Sequence, residues 1–502
     1  SKSLIHHRFL EIVNAVSLDR LCSGSWELWS IGAMASARSP RDDKLADDLL
    51  EYINDSDTQF HAVEQAKARL DAAGYMRLSE RQSWDGLRPG GRYYFTRNDS
   101  TLVAFAVGAR YEPGNGFYIL GAHTDSPCFK LKPVSKCTKS GYAMVNVEPY
   151  GGLLQHTWFD RDLSVAGRVL IRTEEGSMQH KLVKVPEPIL RIPMLAIHLQ
   201  RDINSTGFNP NKQTECTPLL ALQAALQDSE GPAVSEGRHH PWLLHILAKE
   251  LGVRPEDIVD FDLNVIDTQA GVIGGAEGAF VFVGRLDNLC SSYLGLRALL
   301  DSDVSLASEA GVRVLALFDN EEVGSASAQG AAGPVLQDTI ARVAAVLGGG
   351  AEGAVQRALQ ASFLLSADMA HALHPNYPDR HDAAHAPRLG DGIVLKHNAN
   401  QRYATTAVSA TLFREVCRQA GVPTADFAVR SDMGCGSTIG PILASGLGLR
   451  TVDVGLPQLS MHSIREMCAV ADVGHGYRAF LAFYQTVSAL DAALEGANAG
   501  PA

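Results

Sequence analysis

The sequence predicts an α/β protein: a mostly parallel sheet flanked by helices, with a β-rich segment inserted between the first and later strands. Two observations carry this. Strand-like apolar runs alternate with helical patterns on both sides of the middle of the chain, as where "VRVLALFDNEE" leads into "SASAQGA". Between them, from about Cys128 to Asp262, the texture changes to β-type runs such as "GRVLIRT" and "KLVKV", turn-forming prolines and a single helical pattern.

Taken in order, residues 1–45, with "SGSWELWSIGAMASARSPRDD", show no clear periodicity and are read as an N-terminal extension of unassigned role. From about Lys44, apolar residues at spacings of three and four predict helices through "LADDLLEYIND" and "FHAVEQAKARLDAAGY". The strand-like segments "TLVAFAVG" and "GFYILGAHTD" follow, separated by the turn "YEPGNG". The β-rich section contains the helical pattern "WLLHILAKELG". Beyond it strand and helix recur: "AFVFVGRLDN" into "LCSSYLGLRALL", "SFLLSAD" into "MAHAL", and "RTVDVG" with "REMCAVADVG" later. The segment "LGGGAEGA" reads as a flexible joint between helices. The division expected is 1–45, 46–127 as the first part of a catalytic domain, 128–263 as the insertion, and 264–502 as the second catalytic part.

Composition narrows the function classes. A chain of 502 residues, 46% hydrophobic, has ample material for sizeable cores. No apolar run reaches the roughly 18 residues of a bilayer span, and no secretory signal pattern is visible. Eight cysteines without CxxC spacing predict reduced thiols and a cytoplasmic setting. A net charge of -12 argues against nucleic acid and anionic membranes as partners.

The chemistry emerges when strand ends are compared. His123 closes "FYILGAH", Asp287 follows "AFVFVGRL", Glu321 and Glu322 follow "VRVLALFDN", Asp368 closes "SFLLSA", and His462 follows "TVDVGLPQLSM". Carboxyl ends of parallel strands share one crevice, so these side chains are expected to meet there. Singly, Asp287 or Asp368 reads as a helix cap, Glu321 as solvated surface and His462 as an ordinary histidine. Together, residues of metal-ligand type at five strand ends exceed what capping explains. Asp125, two residues after His123, is placed to accept the second ring N–H of a metal-bound His123. "HSIRE" has capping-box spacing between Ser463 and Glu466, predicting a helix just after His462.

Charge separates one metal from two. Three carboxylates against two divalent cations leave one positive charge, which suits a bound hydroxide and a polarised carbonyl, whereas one metal would be net anionic. Mixed histidine and carboxylate ligands favour zinc, with cobalt or manganese as substitutes.

The blocks "GAHTDSP", "RLDN", "DNEEVGS", "SADMAH", "QRYA", "GSTIGP" and "QLSMHSIREM", in this order from about Asp47 to the C-terminus, closely resemble the aspartyl aminopeptidases. These are dinuclear zinc exopeptidases that remove N-terminal Asp or Glu. The resemblance implies a zinc-exopeptidase fold whose inserted domain dimerises and whose dimers form a tetrahedral dodecamer. It implies that His123, Asp287 and Asp368 hold one zinc and Asp287, Glu322 and His462 the other. It makes Glu321 the general base and Asp125 the orienting carboxylate. It also assigns Lys396 to the acidic side chain of the substrate, and His198 to a neighbour's site. By residue pattern alone, Lys396 reads as a solvated lysine and His198 as a core histidine. Asp319, Tyr403, Met433 and Gly434 complete the candidate substrate-binding set, although the family commonly has proline where Gly434 stands. The cluster His371, His374, His381 and His385 is read as a loop near the site rim rather than as another metal site. The alternatives are an aminopeptidase of neutral or broad specificity, a two-metal phosphoesterase, and a non-catalytic assembly protein.

Overall fold

A computed structural model of the chain describes residues 40–224, 237–348 and 351–498. The extension up to residue 39 and two glycines of "LGGGAEGA" lie outside the described residues.

Among the described residues the largest sheet has nine strands. In spatial order they are Met76–Arg77, Arg92–Arg97, Thr101–Val107, Val312–Phe318, Phe117–His123, Phe363–Ala367, Arg450–Gly455, Ile393–His397 and Thr424–Ala428. The four in the middle, from Val312–Phe318 to Arg450–Gly455, are mutually parallel. Antiparallel pairings enter at Thr101–Val107 and at Ile393–His397, so the sheet is mixed but mostly parallel.

Alternation along these strands divides the apolar residues into two cores. Leu102, Ala104, Leu120, Ala122, Leu315 and Leu317 face one side, with the helices Pro40–Asn54, Gln59–Ala72, Leu286–Ser302 and Val470–Asn498. Val103, Phe105, Ile119, Val314 and Phe318 face the other, with Val335–Gly348 and Ile439–Leu447. A strand covered on both faces is apolar on both, so "VRVLALF" and "FYILGAH" lack a polar face; Arg313, the charged exception, is buried and paired with Glu309. Gly295 lets the Leu286–Ser302 helix approach closely: a Cβ there would stand 2.7 Å from Leu120.

A second sheet of six strands is built from residues 128–267. Its core, including Phe129, Val147, Trp158, Val165 and Val265, is covered by the helix Pro241–Leu251 through Leu243 and Leu247. A third sheet of five short strands runs in the order Val272–Gly274, Phe280–Val283, Glu466–Ala469, Pro457–Leu459, Ala370–His371.

Four local expectations are corrected. Helix already covers Pro40, the first described residue, ahead of the expected start near Lys44. "SASAQGA" forms turns, and its helix begins only at Val335. "MAHAL" contributes the strand Ala370–His371, which pairs with Pro457–Leu459. No helix follows His462: Glu466 opens a strand paired with Phe280–Val283, and its carboxylate is taken by other backbone donors.

Candidate metal centre and active site

The parallel strands deliver four of the predicted groups to the carboxyl ends of the central strands. His123 is the last residue of its strand, beside Phe318, and the loop after Phe318 carries Glu321 and Glu322. Asp368 follows Ala367 of the next strand. Asp287 and His462 arrive differently from the sequence expectation: their strands belong to the five-stranded sheet, where Val283 pairs with Glu466. Two sheets therefore converge on one point.

Asp287 stands at the centre. Its Oδ1 is 3.2 Å from His123 Nε2, and its Oδ2 is 3.5 Å from His462 Nε2. His123 Nε2 also lies 3.7 Å from Asp368 Oδ1, while His462 Nε2 lies 3.3 Å from Glu322 Oε2. One carboxylate thus faces two groups of donors, one through each oxygen. His123, Asp287 and Glu322 each offer a ligand atom within 4.8 Å of the others. His123 Nε2, Asp287 Oδ1, Glu322 Oε1 and Asp368 Oδ1 are all buried without a hydrogen bond. Buried polar atoms are nearly always satisfied, so four such atoms converging from four neighbouring side chains fit a cationic guest.

The electrostatics agree. Burial opposes charge on both histidines, yet the surrounding carboxylates, Asp125 and Asp287 foremost, hold His123 well above the usual imidazole value, and Asp287 with Glu322 holds His462 up at about 10. Burial together with Asp287 pushes Glu322 well above the usual carboxyl range. Glu321 is pushed up to about 8 by burial, against the pull of His123, with Asp368 and Asp287 adding to the rise. These shifts all favour positive charge among the carboxylates, which a proton or a metal cation can supply.

Asp125 lies beyond the strand end; His123 Nδ1 hydrogen-bonds its backbone carbonyl at 3.0 Å, and its Oδ1 stands 3.3 Å from the same nitrogen. The same carboxylate accepts the backbone N–H groups of Glu321 and Glu322, each at 3.1 Å, and the Tyr150 hydroxyl at 2.7 Å. It therefore braces the glutamate loop as well as the histidine. Glu321 Oε2 is 3.9 Å from His123 Nε2 and opens onto the cavity. His462 has φ 64°, and its Nδ1 faces the Gly152 carbonyl at 3.2 Å. A Cβ on Gly152 would come within 3.2 Å of that nitrogen, so a larger residue in this bend would press on the ring.

The centre opens into a cavity of about 540 Å³ lined by Glu321, Asp368, Lys396, Tyr403, His462 and others. Lys396 is 3% exposed, which overturns its reading as a solvated lysine. Its Nζ is 3.5 Å from Asp368 Oδ2 and 5.5 Å from the centre of the Tyr403 ring. Four predicted substrate residues lie elsewhere. Asp319 is buried behind the site, lines a separate cavity and accepts the Asn320 N–H; burial and Asp125 push its carboxyl up to about 6. Met433 and Gly434 are exposed and outside the lining of the central cavity, whose nearest neighbours in sequence are Gly436, Ser437 and Thr438. His198 is exposed on a loop with Leu195, Ile197 and Leu199, away from its own cavity, and is not a core histidine.

Sequence reasoning missed Glu466 as a loop brace and Arg402 as a cavity cation. His371, read from the sequence as part of a loop near the site rim, lines the cavity and packs against Phe427 at 5.6 Å between ring centres.

The model of the family described as aminopeptidase I zinc metalloprotease (M18) matches residues 52–484. The chain belongs to this family. A probable aspartyl aminopeptidase of Ricinus communis is 53% identical over 471 residues, covering 88% of this chain and 96% of that one. An aspartyl aminopeptidase of Dictyostelium discoideum is 45% identical, with 89% and 97% covered. Among solved structures, the cryo-EM structure of the Ape4 and Nbr1 complex matches with a TM-score of 0.88 at 42% identity, covering 92% of this chain and 88% of that one. The S. cerevisiae mApe1 dodecamer matches with a TM-score of 0.80 at 31% identity, covering 91% and 99%. This M18 chain therefore has the zinc-exopeptidase fold, and as an enzyme it is a metallo-exopeptidase of the aspartyl aminopeptidase class.

Proposed function

We propose that this M18 enzyme removes an N-terminal Asp or Glu from peptides, using two zinc ions and Glu321 as general base. The observation that carries the two-metal reading is Asp287, whose oxygens face His123 and His462 separately. His123, Asp287 and Asp368 would hold one ion, and Asp287, Glu322 and His462 the other. Cobalt or manganese fits the same donors. Bound there, the metals supply Lewis acidity that polarises the scissile carbonyl and acidifies water.

The chain's own residues do the rest. Glu321, raised toward neutral pH and facing the cavity, takes the proton from attacking water and returns it to the leaving amine. Asp125 fixes the His123 ring and the glutamate loop, so the base and the ligand beside it keep their spacing. Lys396 offers a buried positive charge to the substrate's first side chain. Tyr403 packs beside it and excludes water.

Assembly is part of the proposal. The 128–263 segment serves as a dimerisation domain, with 46–127 and 264–502 forming the catalytic domain around it and the first 45 residues as an extension of unassigned role. The exposed apolar residues Leu195, Ile197 and Leu199 support a buried position for the His198 loop against another subunit, within a tetrahedral dodecamer; the S. cerevisiae mApe1 structure is a dodecamer. Met433 and Gly434, on an exposed loop beyond Gly436, would meet substrate only through such a neighbour. Seven free cysteines among the described residues fit a reducing, cytoplasmic setting, and no described helix is long and apolar enough to cross a membrane.

The test is turnover of Asp-, Glu-, Leu- and Lys-anilides with and without chelator. Faster turnover of Leu than Asp would transfer the enzyme to the neutral or broad-specificity class, and activity indifferent to chelator would remove the metals from the mechanism. Sedimentation checks assembly, with a stable monomer contradicting the shared site.

A further inference from the structure

Glu466 lies at the junction of the two sheets that form the metal centre, is 3% exposed, and has no part in the chemistry described above. Its Oε1 accepts the backbone N–H of His462 at 2.8 Å, and its Oε2 accepts the backbone N–H of Asp287 at 3.1 Å. The two residues it holds are 175 positions apart in sequence, and they are the two whose side chains face each other across Asp287 Oδ2. His462 sits at φ 64°, in the left-handed region, so its loop needs an external anchor to keep the ring aimed. The arrangement parallels Asp125, whose carboxylate holds His123 and the N–H groups of Glu321 and Glu322. Each side of the centre thus has a buried carboxylate that spans two ligand-bearing segments.

We propose that Glu466 is a positioning residue that sets the distance between Asp287 and His462, and so determines how tightly the ion on the Glu322–His462 side is held. Only a carboxylate of this length does this. Its two oxygens each meet one N–H, whereas an amide would turn an NH2 group toward one of those donors. A neighbouring amide from Gln458, with Nε2 3.5 Å from Oε1, steadies the group without replacing it. The inference rests on the two-metal reading above, and it concerns the affinity of one site rather than the chemical step.

The experiment is zinc titration of the chelator-stripped enzyme by calorimetry, with metal content per chain measured in parallel, for the parent, Glu466→Gln, Glu466→Asp and Val343→Ala. Outer-shell partners of metal ligands typically change affinity by about 10–100-fold. Glu466→Gln is expected to weaken one zinc by that amount and leave the other within about threefold, and Glu466→Asp, which keeps the charge but shortens the reach, should weaken the same ion less. Excess zinc should restore most of kcat with KM unchanged. Val343→Ala, a cavity in the distant core under the Val335–Gly348 helix, should lower Tm without moving either affinity. Zinc binding by Glu466→Gln within about twofold of the parent overturns the proposal, as does equal weakening of both ions. If Glu466→Gln does not fold, Glu466→Asp decides by the same criterion. A parent that binds one zinc per chain would refute the two-metal reading, while the ratio of variant to parent affinity for that ion would still test the clamp.

Discussion

Replacing Lys396 by methionine removes a buried positive charge while keeping the length of the side chain. Lys396 is 3% exposed, and its Nζ already stands 3.5 Å from Asp368 Oδ2, so the site holds charge in a largely dry setting. A charge pair about 4 Å apart is worth about 4 kcal/mol at an effective dielectric near 20, against about 1 kcal/mol in water. Desolvating the substrate carboxylate offsets part of this, leaving about 2–3 kcal/mol of transition-state binding. That amounts to about 30- to 150-fold in kcat/KM for an Asp-anilide, whereas the Leu-anilide should stay within about threefold. The assay is kcat/KM for both substrates on parent and Lys396→Met, with zinc content measured on the same samples. A change of less than about threefold in the Asp-to-Leu ratio would refute the reasoning. Equal losses on both substrates together with lost zinc would show that Lys396 supports Asp368 rather than reading the substrate.

Three further outcomes are expected. Glu321→Gln should lower kcat by about 10²–10⁴-fold with zinc content unchanged, since the amide cannot accept the proton; full activity would remove Glu321 as the base. Gly152→Ala forces a Cβ to within 3.2 Å of His462 Nδ1, and should release zinc at lower chelator concentrations while Tm of the stripped protein changes little. In the stripped enzyme, burial first and neighbouring carboxylates second hold Glu321 and Glu466 up at about 8, while Asp287 and Glu322, against burial, hold His462 up at about 10. The native state then keeps protons that the unfolded chain releases from its ordinary glutamate and histidine values upward. This stability is fully present near about pH 4 and is lost as pH rises through about 8 to 10. Its Tm, followed by scanning calorimetry, should fall from about pH 5 to about pH 8, and zinc should abolish that fall by replacing the protons. A Tm that rises over the same interval would show that the donor atoms are not proton-loaded.

The architecture was legible where burial covers whole strands. "VRVLALF" and "FYILGAH" carry no polar face, which only a strand buried on both sides requires, and the ligand-type residues at their ends follow from parallel pairing. Where segments are short, the reading failed. "MAHAL" and "HSIRE" look helical or capped because their local patterns suit those states. Pairing with Pro457–Leu459 and Phe280–Val283 overrode them, since a strand partner supplies backbone hydrogen bonds that the local sequence does not encode.

The sequence by itself determined the chemical inventory: histidines and carboxylates after apolar strands, a base-type glutamate beside a ligand-type one, and the motif order shared with its family. The tertiary structure decided their geometry. That Asp287 turns one oxygen to His123 and the other to His462, that Lys396 is buried, and that Glu466 joins two ligand loops all depend on contacts between distant segments. The three carboxylates of "DNEEVGS", Asp319, Glu321 and Glu322, part in the same way. Asp319 turns behind the strand and the glutamates turn toward the centre, because Asp125 grips their backbone from the loop after the neighbouring strand Phe117–His123. Distances of about 3–4 Å between residues far apart in sequence are set by sheet pairing and packing, which no local pattern records.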